Sequence, residues 1–298
     1  MTYAAVRWFG YLAAFAIVGA TLFRLWLAPR LVGATAEQAS AMSGRAVLAG
    51  RVAAVGLALA TVLKLYLQSR SMIEPDEPLS FEIVRLVIGS PWGRGWLAQG
   101  TGALCALIAW RAMARPTPPR WARGLAVLSA LGLVLAMPLT GHAIGLPAAG
   151  RLGYPLTVLH VGGGAIWLGT LGILLIAAIG PADPAFRLGS LVRAYSTIAL
   201  PAGFLTIGCG LVVAWRYVGG FDALFGTVYG NVLLAKIGAL AGVAATGAYN
   251  WRVVLPRLEI GQTSPLSRSA TVETVVGVVL LAVTAVLVSL PAPSEPVP

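Results

Sequence analysis

"PLTVLHVGGGAIWLGTLGILLIAAI", residues 155–179, runs for 25 residues without an Asp, Glu, Lys or Arg. A hydrocarbon core about 30 Å thick is crossed by about 20 apolar residues of α-helix, so the stretch reads as a membrane span. Lipid offers backbone N–H and C=O groups no water, and a helix satisfies them within its own segment. Seven further runs reach the same length, at about 8–28, 46–68, 95–113, 121–139, 190–215, 229–251 and 270–290. The expected fold class is all-α, a polytopic membrane helix bundle of about eight transmembrane helices. Residues 1–298 are expected to form a single integral membrane domain, with no soluble domain left over.

Composition agrees with that reading. The chain is 58% hydrophobic and 10% charged, far below the roughly one-quarter charged residues of a soluble domain. A formal net charge of +11 would direct a soluble protein toward nucleic acid. Here the arginines sit mainly in short links between apolar runs, so the expected partner is the lipid bilayer and not nucleic acid. Cys105 and Cys209 both lie inside apolar runs and read as reduced thiols, not as a disulfide framework. The first run follows Arg7 and resembles a signal peptide, but Arg24 and its length predict a retained span.

Thirteen of the 21 Lys and Arg residues gather in or beside the links after runs 1, 3, 5 and 7, and seven in the opposite set. Positive charge marks the cytoplasmic side. The bias predicts both termini outside, with the link carrying His142 outside too. The longest outer link, residues 69–94, places Leu79, Ile83, Leu86 and Val87 at helical spacing, which predicts a short helix along the interface. Its Glu74, Asp76 and Glu77 read either as a solvated turn or as a collector of cations.

The only two histidines of the chain, His142 and His160, stand eighteen residues apart across one outer link. His142 falls just beyond the outer end of the fourth run. His160 falls about 8 Å inside the fifth, at 1.5 Å per residue. Met137 and Cys209 belong to the same depth zone. Imidazole, thioether and thiolate suit monovalent copper, whereas Mg²⁺ and Ca²⁺ require oxygen ligands, so His142, His160, Met137 and Cys209 form the candidate metal set. The alternative is a structural histidine bonded to a neighbouring carbonyl, with Met137 and Cys209 as packing residues.

At 100° per residue His160 shares a helix face with Gly163, Gly164, Trp167 and Leu171, which predicts a small space beneath the imidazole. Gly162, Ala165, Gly169 and Gly172 line a smooth face suited to close helix approach. Lys236 lies inside the seventh run, with Val243 and Asn250 following on its stripe. It reads either as a pathway residue or as a side chain snorkelling to the headgroups. Lys64, near the end of its run, is expected to snorkel. Glu273 is positioned to pair with Arg252 or to bond Asn250 and hold the last two helices together.

"TGHA" at 140–143, "LHVGGGAIWLGTLG" at 159–172, "FGTVYGNVLLAKIGALAGVAATGAYNWRVVLPRL" at 225–258 and "VSLPAP" at 288–293 together resemble the copper resistance protein D family. The likeness covers residues 80–291. It implies a bacterial inner-membrane protein that moves copper inward from a periplasmic copper chaperone. The family's functional positions fall on His142, His160, Trp167, Lys236 and Asn250. The Met-rich and His-rich outer segments of some relatives are absent here.

The expected function is copper transport through a His-based site at the outer mouth, with Trp167, Lys236, Asn250 and Glu273 as pathway or support. No P-loop is present to couple ATP. A second reading is a membrane haem protein, with haem b held by His142 and His160, clearance at Gly164 and a propionate met by Lys236 or an outer arginine, passing electrons to copper or quinone. A third is an assembly subunit whose histidines only stabilise the bundle.

Overall fold

The computed structural model describes residues 2–31, 34–141, 151–178, 188–259 and 266–294. The first helix, α1 (Thr2–Leu22), continues through a π-helical turn at Phe23–Leu27 and a 3₁₀ turn at Ala28–Arg30. The longest, α2 (Ala36–Arg70), opens with a capping box in which the Thr35 hydroxyl accepts from Gln38 N and the Gln38 side chain accepts from Thr35 N. A short α3 (Phe81–Gly89) leads into α4 (Pro91–Met113), which starts with proline at its first position and a Ser90 cap. Next come α5 (Arg120–Ala136) and its 3₁₀ extension Met137–Thr140. Then α6 (Gly153–Gly164) runs through a π-helical turn at Ala165–Gly169 into α7 (Thr170–Ala178). The last helices are α8 (Leu188–Val218), α9 (Phe221–Gly226), α10 (Val228–Tyr249), α11 (Leu255–Glu259) and α12 (Leu266–Leu287), with a third π-helical turn, Asn250–Val254, joining α10 to α11.

Among the described residues seven helical stretches are long and apolar enough to cross a membrane. The remaining expected span is α4. Its 23 residues extend about 34 Å at 1.5 Å per residue, but Arg94, Gln99 and its glycines lower its hydropathy. It packs between α2 and α5. Its length fits a crossing; its composition reflects the neighbours it faces.

The packing is that of a bundle in lipid. On α2 the exposed side chains Leu48, Val52, Val55, Leu59 and Val62 form one apolar stripe, while the buried positions include the small Ala46, Gly50, Ala53 and Ala54. Small residues inward let helices approach, and large apolar ones face the hydrocarbon. Gly19 of α1 and Gly169 in the turn after α6 approach so closely that a Cβ on either glycine would run into the other helix's backbone. One cluster of buried apolar side chains, with Phe15, Ile17, Leu57, Trp110, Leu133, Trp167 and Leu281 among its members, joins α1 to α12.

The ends of the bundle are fixed by long-range bonds. Arg7 Nη1 donates to Val288 O at 2.5 Å, which sets the start of α1 beside the end of α12. A Cβ at Gly141 would stand 3.2 Å from Val288, so the chain leaving α5 reaches the same end. A short helix, as expected in the 69–94 link, is present as α3. Val87 is buried against the bundle while Phe81 and Leu86 are exposed. Arg70 staples the link before it, donating to Glu77 O at 2.6 Å and Pro75 O at 2.7 Å.

Candidate functional site

His160 lies half-buried on α6, and its Nδ1 is 2.7 Å from Thr206 O on α8. A carbonyl only accepts, so Nδ1 carries the proton. Nε2 of the neutral ring then keeps its lone pair, the arrangement by which a ligating histidine is oriented from behind. The ring lies over Gly210, where a Cβ would stand 2.6 Å from Nδ1. This carbonyl bond is the one the structural alternative requires, and it is equally the second bond of a metal ligand.

The α6–α8 contact continues as an alternation of large and small. His160 covers Gly210, Gly163 admits Thr206 and the Ala202 carbonyl, and the Trp167 ring lies 3.4 Å from the Cβ position of Gly203. The space expected beneath His160 is therefore filled. Gly163 is closed by Thr206, and the Cβ position of Gly164 is 3.4 Å from the Phe15 ring of α1, so Gly164 supplies no porphyrin clearance. Of the smooth face, Gly162 packs against Val134 of α5 and Gly169 against α1, whereas a Cβ at Gly172 would meet nothing within 4 Å.

His142 lies outside the described residues, so its meeting with His160 does too. Met137 is buried in the core where α5 turns, and Cys209 is buried on α8 next to Gly210, as a free thiol. Among the described residues, no three His, Cys, Asp or Glu side chains gather as a metal-binding group. Lys236 is half-buried and within electrostatic range of His160. Val243 and Asn250, on its stripe, are buried, so that face of α10 looks into the bundle.

A second polar centre lies further along the same helices. Glu273 of α12 is 3% exposed. Its Oε1 accepts from Trp167 Nε1 at 3.2 Å and its Oε2 from Asn250 Nδ2 at 2.8 Å. Of the two partners expected for Glu273, Asn250 is the one realised; Arg252 is exposed, beside the Trp251 ring. Tyr195 on α8 donates to Trp167 O at 3.2 Å. Both donors to Glu273 sit on π-helical turns. The extra residue of such a turn re-aims a side chain, and these turns are frequent at functional sites. Sequence gave Trp167 no polar role.

Lys64 corrects an expectation. It does not snorkel: it is 2% exposed, and Nζ donates to Gln99 Oε1 at 2.9 Å and Thr140 Oγ1 at 3.1 Å. The reason is that α2 extends to Arg70, which sets the ammonium below the helix end, between α4 and the turn after α5. Trp92 lies 6.0 Å away and Arg7 within electrostatic range. The available signal was three polar side chains, Lys64, Gln99 and Thr140, each in an apolar stretch near one end of the bundle.

The bundle, its lipid-facing stripes and its inward polar centres define a multi-pass membrane protein, and comparison with known sequences places it. The profile of the copper resistance protein D-like N-terminal domain matches residues 1–154, and that of copper resistance protein D matches residues 189–287. The chain belongs to the copper resistance protein D family, a family of copper-handling membrane proteins, and the match reaches the first residue, beyond the 80–291 legible in the motifs. It is similar to the copper transport protein CutJ of Bacillus subtilis (strain 168), 28% identical over 265 residues, which are 85% of this chain and 47% of that protein. The chain thus spans about half the length of that relative. No solved structure matches it.

Proposed function

We propose that the chain transports copper across the bacterial inner membrane, receiving it at the end of the bundle where α1 begins and α12 ends. The observation that carries this reading is the orientation of His160, whose Nδ1 is committed to Thr206 O while Nε2 is left as a ligand atom. Membership of the family and the name of the CutJ relative supply the metal. His142 completes the site, with Met137 or Cys209 as a soft third ligand. Lys236 stands on the pathway below, and Trp167, Asn250 and Glu273 support it. The arginine bias supports a periplasmic receiving end with both termini outside, and the proposed partner that delivers the metal is a periplasmic copper chaperone.

The test is copper uptake by cells, together with Cu(I) stoichiometry of the purified protein, for the wild type, His142→Ala, His160→Ala and His160→Gln. Each substitution is expected to remove bound copper and lower uptake at least about tenfold, the scale of losing one ligand or its orientation. Equal stoichiometry and uptake in all four proteins would sink the reading. A Soret band in the visible spectrum would replace it with the haem reading.

A further inference from the structure

Where α2 meets α1 and α7, Ala49, Val52, Gly56, Leu59 and Leu63 of α2 recur at alternating spacings of three and four and line an open furrow of about 510 Å³. Phe9 of α1 and Ile176 of α7 belong to its other walls, and every residue that lines it is apolar. From Ala49 to Leu63 the furrow runs about 21 Å at 1.5 Å per residue. That is longer than the roughly 15 Å of one leaflet, half of a core about 30 Å thick, so the furrow accommodates the full depth of an acyl chain. Phe9, Val52 and Leu59 are exposed along it, and all three lie in membrane-crossing stretches. The furrow therefore opens to the bilayer.

Its end is marked by a cation. Arg45 precedes Ala49 by four residues, which places it on the same face of α2, one turn nearer the helix start. It also immediately precedes the apolar run 46–68, at headgroup depth. Arg45 Nε donates to Ala177 O at 2.9 Å, next in sequence to the wall residue Ile176. The guanidinium is thus held between two walls of the furrow. Its Nη1 and Nη2 make no bond among the described residues, and neither is sealed from the surface. A fork anchored through Nε presents those two nitrogens to a phosphate. Arg51, exposed and adjacent to Val52, adds a second cation on the lipid-facing side. An apolar track ending on open cations is complementary to a molecule with a long chain and a negative head.

We propose that the furrow seats one anionic phospholipid of the bilayer, with its phosphate on Arg45 and one acyl chain along the α2 stripe. Basic sites between membrane helices hold anionic headgroups by this combination of charge and apolar contact. A zwitterionic lipid of the same chain length fits the furrow equally well but brings an ammonium that Arg51 opposes.

The test is native mass spectrometry of the delipidated full chain, titrated with dipalmitoyl phosphatidylglycerol and, separately, with dipalmitoyl phosphatidylcholine. The wild type retains one phosphatidylglycerol about fivefold or more tightly than phosphatidylcholine, the scale of one arginine near an anionic lipid. Arg45→Gln binds the two lipids alike, whereas Arg120→Gln, an exposed arginine on α5 outside the furrow walls, keeps the preference. Gly56→Phe weakens both lipids: Gly56 lines the furrow and a Cβ there meets nothing within 4 Å, so the ring enters the groove without displacing protein and the melting temperature stays at the wild-type value. Excess glycerol 3-phosphate, a head without a chain, leaves the lipid in place. Equal retention of both lipids by the wild type, a preference that survives Arg45→Gln, binding unchanged by Gly56→Phe, displacement by glycerol 3-phosphate, or a dimer that closes the furrow without lipid overturns the proposal. Copper plays no part in this readout, so its failure and that of the transport reading are separable.

Discussion

Trp167 and Glu273, 106 residues apart, meet in a buried hydrogen bond of 3.2 Å that ties the turn after α6 to α12. With Asn250 as the second donor at 2.8 Å, the carboxylate joins three segments at one point. Glu273→Ala leaves two buried donors unmet, each costing about 1–3 kcal/mol. Glu273→Gln is milder, since the Asn250 amide can turn over and accept from the new NH₂ group. Thermal unfolding in detergent is expected to rank wild type, then Glu273→Gln, then Glu273→Ala; equal melting of all three contradicts a joining role.

Gly210→Ala is expected to act on copper although it removes no ligand. Its new methyl would stand 2.6 Å from His160 Nδ1 and must push the ring off Thr206 O. Loss of an orienting partner lowers metal affinity about 10–100-fold. Gly208→Ala, two residues away and facing nothing within 4 Å, is the control. Competition for Cu(I) against a chromophoric chelator measures both, and parity between them refutes the orienting role of that contact.

Lys64 and Lys236 are the only lysines of the chain, which makes burial of Lys64 directly measurable. A water-soluble amine reagent is expected to leave Lys64 unmodified in the folded protein and to label it after unfolding, as read by peptide mass. Labelling at the rate of an exposed amine restores the snorkelling picture. Gln99→Leu, which strips a partner from a buried charge, is expected to destabilise by at least the roughly 1.5–3 kcal/mol of a charged hydrogen bond.

Gly19→Ala places a methyl against the backbone around Gly169, and overpacking of that kind costs about 1–3 kcal/mol. Gly56→Ala on α2, with open space around its Cβ position, is expected to be neutral or stabilising by up to about 1 kcal/mol through helix propensity. A melting comparison that finds the two alike removes the α1 crossing as a tight contact.

The helices were legible because lipid imposes a simple rule on length and polarity, and the 155–179 run obeys it without exception. The α3 helix was legible for a related reason, its apolar residues recurring at helical spacing. Lys64 was misjudged because the apolar run ended at 68 while the helix ended at Arg70, and because its acceptors come from two other helices. The π-helical turns leave no mark in periodicity over five residues, yet they aim Trp167 and Asn250 at Glu273. On His160 the sequence identified the side chain and the small residues near it, but not that Thr206 and Phe15 would occupy the room those glycines leave.

The alternation of His160 over Gly210, Thr206 into Gly163 and Trp167 over Gly203 fixes the sliding register of α6 and α8, since a shift of one residue would drive each ring into a neighbouring backbone. The two helices therefore travel as a single rod in any cycle that opens one face of the membrane and then the other. Whatever hinge such a cycle uses must lie outside that pair.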